Sequence, residues 1–176
     1  MPRYVAFLRA INVGGHTVKM ARLKELFEEL RLGNVETFIA SGNVLFDTAS
    51  KDIAALESRI ERHLAKALGF EVDTFIRPLG GLADIAAGHP FAREEPKAHS
   101  LWVGFVKQPF DAKACSAITA LATDVDAFHV NGREVYWLCR IRSSDSLVGG
   151  KPLQKAMGAT TTFRNVTTVR KLAARA

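Results

Sequence analysis

The sequence predicts an α+β protein, a duplicated ferredoxin-like (βαββαβ) α/β sandwich with two antiparallel sheets, packed helices and a C-terminal helix. Three observations predict it. Hydrophobic spacing switches between strand and helix periods in the order β-α-β-β-α-β, and that order occurs twice in 176 residues. In each copy a glycine turn, Ser41-Gly42-Asn43 or Asn131-Gly132, separates two β-rich runs. The steps Leu32-Gly33, Leu68-Gly69 and Met157-Gly158 close helical patterns just before strands. The expected organisation is a first subdomain over 1–78, a linking helix and linker over 79–98, and a second subdomain with the terminal helix over 99–176.

The elements follow in order. Arg3 to Arg9 alternates as a strand, and Asn12 to Thr17 is a glycine-rich turn. Met20, Leu23, Phe27 and Leu30 make one helix face, with Gly33 as its expected stop. Val35–Ala40 and Val44–Asp47 form the hairpin arms. Ser50 is the expected cap of a second helix whose face is Ile53, Leu56, Ile60, Leu64 and Leu68. Val72 to Arg77 is a fourth strand. Leu79 to Gly88 reads as a short linking helix, and His89 to Lys97, with two prolines, as a linker in which Glu94 and Glu95 are exposed. The second copy runs through a strand at His99–Lys107, a helix capped by Asp111, strands at Val125–Val130 and Glu134–Arg140, and a helix at Pro152–Met157. It ends with a strand at Thr160–Arg164 and a helix at Val166–Ala174. On the strand at Leu101–Val106, the expectation is that Leu101, Val103 and Phe105 face the helices. Trp102, Gly104 and Val106 then face away, together with Tyr136 of the neighbouring strand.

Composition narrows the class. Hydrophobic residues make up 48% and charged residues 24%, a globular balance. No apolar run reaches the roughly 18 residues of a membrane span, and the charged, alternating N-terminus does not read as a signal peptide. The expectation is a cytoplasmic protein without membrane association. Cys115 and Cys139 read as small buried hydrophobes, and the scattered histidines offer no metal-ligand spacing, so neither a metal nor another cofactor is expected. No GxSxG elbow, GxGxxG or P-loop spacing occurs.

Two groups of residues carry the candidate chemistry. In the predicted topology the loop after the first strand meets the hairpin after the second, bringing Asn12, Gly14, Gly15 and His16 towards Ser41 and Asn43. Glycine amides near a helix start, with Lys19 in its first turn, suit a phosphate or carboxylate. The competing reading is a tight turn tied down by asparagine and serine. His16 is the one candidate general acid or base. The second group is Thr162, Arg164, Asn165, Thr168 and Lys171. Asn165 suits the N-cap of the terminal helix, and Arg164 could hold an anion there or pair with a carboxylate. Gly149-Gly150 before a helix is a weaker phosphate nest.

Three blocks also carry a resemblance. Arg9-Ala10-Ile11-Asn12-Val13-Gly14-Gly15, Ser41-Gly42-Asn43-Val44-Leu45-Phe46, and Thr162-Phe163-Arg164-Asn165 continuing to Leu172 resemble three segments of the bacterial family known as domain of unknown function 1697. Ala10 and Val166 depart from its usual glycine and tryptophan. The resemblance implies a duplicated α/β sandwich and brings no established activity.

The formal charge is +6, and it is unevenly placed. Residues 139–176 hold eight bases and one acid, Asp145, whereas the rest is nearly balanced. The leading expectation is a binding module for an anionic partner, a nucleotide-like small molecule or a nucleic-acid backbone. The alternatives are an enzyme acting on a small phosphorylated or carboxylated metabolite at the Gly14-Gly15/Ser41-Asn43 edge, and a protein-interaction scaffold using the Trp102/Tyr136 face.

Overall fold

A computed structural model describes residues 1–176 and divides them into two compact units. The first comprises Met1–Leu82 with Leu172–Ala176, the second Ala83–Lys171.

In the first unit β1 (Arg3–Leu8), α1 (Met20–Glu29), β2 (Gly33–Thr37), β3 (Asn43–Asp47), α2 (Ile53–Leu68) and β4 (Thr74–Pro78) follow one another. The sheet order is β2-β3-β1-β4, all antiparallel. This is the ferredoxin-like arrangement, in which the two crossover helices cover one face. Leu23, Leu26 and Phe27 of α1 and Leu56, Ile60 and Leu64 of α2 pack there with Ala6, Leu8, Val44, Phe46 and Ile76. The alternate residues Val5, Phe7, Leu45 and Phe75 are buried as well, which explains the almost unbroken apolar runs of these strands.

The second unit repeats the order. After a 3₁₀ turn (Leu79–Gly81), α3 (Leu82–Ala87) and a second 3₁₀ turn (Glu95–Lys97) come β5 (Ser100–Phe105), α4 (Ala112–Thr119), β6 (Asp126–Asn131) and β7 (Glu134–Cys139). The chain ends with α5 (Lys151–Met157), β8 (Thr162–Asn165) and α6 (Val166–Ala173). The sheet order β6-β7-β5-β8 is that of the first sheet moved on by four strands. The protein is therefore a duplicated α+β fold of two four-stranded antiparallel sheets.

Several local expectations change. Helix α1 stops before Gly33: Leu30 is its C-cap, and Arg31 takes the left-handed conformation with φ 62°. Gly33 instead opens β2 beside a register shift between Gly33 and Glu36. Asp52, not Ser50, caps α2, accepting the Ala55 N–H at 2.9 Å. Two glutamates of α2, Glu57 and Glu61, turn towards β4. Glu57 is buried and accepts the Ile76 N–H at 2.9 Å, and Glu61 accepts that of Thr74 at 2.9 Å. Since β4 is an edge strand, the helix supplies the acceptors a fifth strand would have supplied.

The predicted faces of β5 are reversed, whereas Tyr136 lies on the face away from α4 and α5, as expected. Trp102 pairs with Trp137 and Gly104 with Val135, and these residues pack with Ile118, Leu153 and Met157 on the helix side. Val103 pairs with Tyr136, which places Tyr136 on the face opposite Trp102. Tyr136 is buried and donates to the Ile85 carbonyl at 2.6 Å. Trp102 and Tyr136 thus form no common surface.

Candidate functional site

The loops after β1 and β2 do meet. The Leu8 N–H donates to the Gly42 carbonyl at 2.8 Å, and Asn12 Nδ2 donates to the Ala40 carbonyl at 2.7 Å. The other end of the Asn12 amide accepts the Val18 N–H at 2.8 Å. One side chain therefore fastens the glycine loop both to the β2–β3 connection and to the approach to α1.

Between those anchors, Val13 to His16 is a miniature hairpin. The His16 N–H reaches the Val13 carbonyl at 3.1 Å and the Asn12 N–H the His16 carbonyl at 2.8 Å. Its two central residues, Gly14 (φ 60°) and Gly15 (φ 84°), both lie in the left-handed region, which accounts for the glycine pair. A Cβ on either would meet nothing within 4 Å, so crowding does not demand glycine there. Gly42 differs: a Cβ there would come 3.1 Å from both Leu8 and Ile11. His16 is exposed and lies over the Phe70 ring, with centroids 4.1 Å apart. Lys19 is the exposed N-cap residue of α1, a helix with no side-chain cap and no acid in its first turn. Asn43 is buried, donating to the Phe38 carbonyl at 2.8 Å and to Ser41 Oγ at 3.0 Å. Asn12 and Asn43 thus hold backbone in place, while Gly14, Gly15, His16 and Lys19 face solvent. The contribution of Phe70 was not readable in the sequence, because it comes from the chain just beyond α2, far along the sequence.

The second group divides. Asn165 accepts the Thr167 N–H at 2.9 Å and so caps α6. Arg164, one residue earlier on β8, points to the other face and is 6% exposed. Its guanidinium donates to Thr162 Oγ1 at 2.8 Å and to the Phe163 carbonyl at 2.9 Å, and burial lowers its pKa to about 10. Thr162 is buried, Thr168 half-buried and Lys171 exposed. Three of the eight bases in residues 139–176 are paired with carboxylates in place. Arg142 pairs with Asp145, Arg170 makes a bidentate pair with Glu95 (2.6 and 2.7 Å), and Arg175 pairs with Glu36. Glu95 is accordingly held in an ion pair, and its pKa lies below the ordinary carboxylate value because of Arg170. Gly149 is required for packing: a Cβ would approach the Trp137 ring to 2.3 Å.

A polar cluster that local sequence pattern did not reveal centres on Asp126. This buried carboxylate accepts from Trp137 Nε1 (2.9 Å), Ser146 Oγ (2.8 Å) and Thr123 Oγ1 (2.7 Å). Ser146 Oγ in turn accepts the Val148 and Gly149 N–H groups, fixing the loop that leads into α5.

The two repeats and the loop edge define a duplicated ferredoxin-like protein with a pinned glycine hairpin at one end of the first sheet. The chain belongs to the family described as protein of unknown function DUF1697, whose model matches residues 1–136. The Thr162–Leu172 block lies beyond the matched residues. The chain is similar in fold to a conserved bacterial protein, SP0830, from Streptococcus pneumoniae. The TM-score is 0.76 at 22% identity, covering 98% of this chain and 97% of that one. No curated protein matches the sequence. No helix is long and apolar enough to cross a membrane.

Proposed function

We propose that the Asn12–Lys19 edge binds a small anionic ligand carrying a phosphate or carboxylate. The observation that carries this reading is the double anchoring of Asn12, which holds an exposed Gly14-Gly15 turn beside the basic start of α1. The exposed amides of the turn, the Lys19 ammonium and the His16 ring are the groups offered to the ligand. The partial positive charge of a helix N-terminus adds to them. A small molecule is favoured over a nucleic-acid backbone because Arg142, Arg170 and Arg175 of the basic C-terminal region are matched by carboxylates and Arg164 is buried, which interrupts the row of cations there. A continuous phosphodiester track needs several unpaired cations.

The test is a thermal-shift screen of phosphorylated and carboxylated metabolites at low salt, with a single-stranded oligonucleotide as comparison. A ligand at a hundred times its Kd stabilises the fold by about 2.7 kcal/mol. For a chain of this size that corresponds to roughly 5–11 °C. The Lys19→Ala and His16→Ala variants should lose at least about half of the shift. A screen without any stabilising anion, or shifts that both variants retain in full, would defeat the proposal.

A further inference from the structure

We propose that the groove between α4 and α5 is a second binding site, for an anionic amphiphile with a single carboxylate head and an apolar body, of the medium-chain fatty-acid class. The proposal is independent of the loop edge, since the groove lies wholly in the second unit.

The groove has a volume of about 600 Å³, within the range of small-ligand sites. It exists because the two helices line it with Ala114, Ala117 and Ala156, whose short side chains leave the space between them unfilled. Leu121 and Met157 complete the apolar lining. Two exposed ammonium groups, Lys113 and Lys155, also line it, and neither is paired with a carboxylate. The one acid in the lining, Asp111, accepts the Ala114 N–H at 2.7 Å as the cap of α4.

These features set the ligand chemistry. A small polar anion would meet the lysines but gain nothing from an alanine and leucine lining. A neutral hydrocarbon would fill the lining and leave both cations unanswered. A carboxylate on an alkyl chain answers both, with each buried methylene tightening binding about fourfold. The head remains near solvent, where an exposed lysine contributes up to about fivefold.

The experiment is calorimetric titration of the full chain with decanoate, kept below its micelle-forming concentration, with hexanoate, acetate and decyl maltoside as comparisons. Decanoate should bind saturably and at least about tenfold more tightly than hexanoate, and acetate should show no binding that Ala117→Leu removes. The K113Q/K155Q double variant should weaken decanoate about threefold or more. Its folding is checked by circular dichroism, and the change lies on exposed side chains. Ala117→Leu, which fills the groove, should abolish binding, whereas Lys19→Ala should leave it intact. The proposal is overturned if decanoate does not bind, if decyl maltoside binds as tightly, or if the double lysine variant binds decanoate unchanged. Loss of decanoate binding in Lys19→Ala would also overturn it, by assigning the anion to the loop edge.

Discussion

Replacing Asp126 by alanine tests how the second unit is held together. Its carboxylate is 1% exposed and receives three strong side-chain donors, from Trp137, Ser146 and Thr123, with the Cys139 thiol a weak fourth at 3.9 Å. Truncation leaves the buried Trp137 indole N–H without an acceptor, which costs about 1–3 kcal/mol. The two hydroxyls can turn elsewhere. However, Ser146 also receives two backbone N–H groups, so its displacement loosens the loop into α5. Each lost bond to a charged acceptor is worth about 1.5–3 kcal/mol before the recovered desolvation of the carboxylate is deducted. The expected net loss is about 3–5 kcal/mol. At 2–4 °C per kcal/mol for a chain of this size, the melting temperature should fall by roughly 6–20 °C. Asp126→Asn keeps an acceptor for the indole and a donor for Thr123, and should cost about 1–2 kcal/mol. Urea unfolding followed by tryptophan fluorescence measures both variants and also reports on Trp137. If Asp126→Ala were no more damaging than Asp124→Ala, an exposed neighbour, the cluster would not carry the stability assigned to it.

Two further predictions concern packing and protonation. Gly149→Ala should cost about 1–3 kcal/mol because its methyl group enters the Trp137 ring, whereas Gly80→Ala, exposed in a 3₁₀ turn with nothing within 4 Å, should melt close to wild type. Equal melting temperatures would contradict the contact. His89 is held below its ordinary pKa of 6.5 chiefly by burial, and its Nδ1 accepts the Phe91 N–H at 3.0 Å. Glu95, Arg170 and His129 are the charged or titratable groups acting on it. A base with a lowered folded pKa favours the neutral form, so the unfolded chain takes up the proton first as pH falls. Its stabilising contribution is therefore full above pH 6.5 and is lost as pH falls through 6.5 towards the folded value. Wild type should lose more stability than His89→Gln between about pH 7.5 and about pH 5.5, as read by urea midpoints. Parallel pH profiles would remove His89 from the account.

The pattern of elements was legible because it is local. The face of α2, from Ile53 to Leu64, and the left-handed stop at Gly69 follow from spacing and glycine alone. The Gly132 turn likewise has the positive φ (59°) that its place at the head of the β6–β7 hairpin requires. The faces of β5 were not legible. Leu101, Val103 and Phe105 form one apolar set and Trp102, Gly104 and Val106 another, so alternation alone leaves the phase open, and a one-residue error moves every side chain to the other face. The roles of Glu57 and Glu61 depend on β4 being an edge strand, a fact of topology with no local signature. At the candidate edge, the meeting of the two loops followed from the fold class. That Asn12 is fully used by backbone, and that Phe70 supports His16, are long-range contacts absent from any short motif.

The central claim is that the edge formed by Gly14, Gly15, His16 and Lys19 receives an anion. The most direct measurement is an amide-resolved NMR titration with adenosine monophosphate at low ionic strength. The Gly14, Gly15 and Lys19 amides should move saturably ahead of all others, and this movement should disappear in Lys19→Ala. Amides at this edge that stay in place at saturating ligand, or that move equally in the variant, would contradict it.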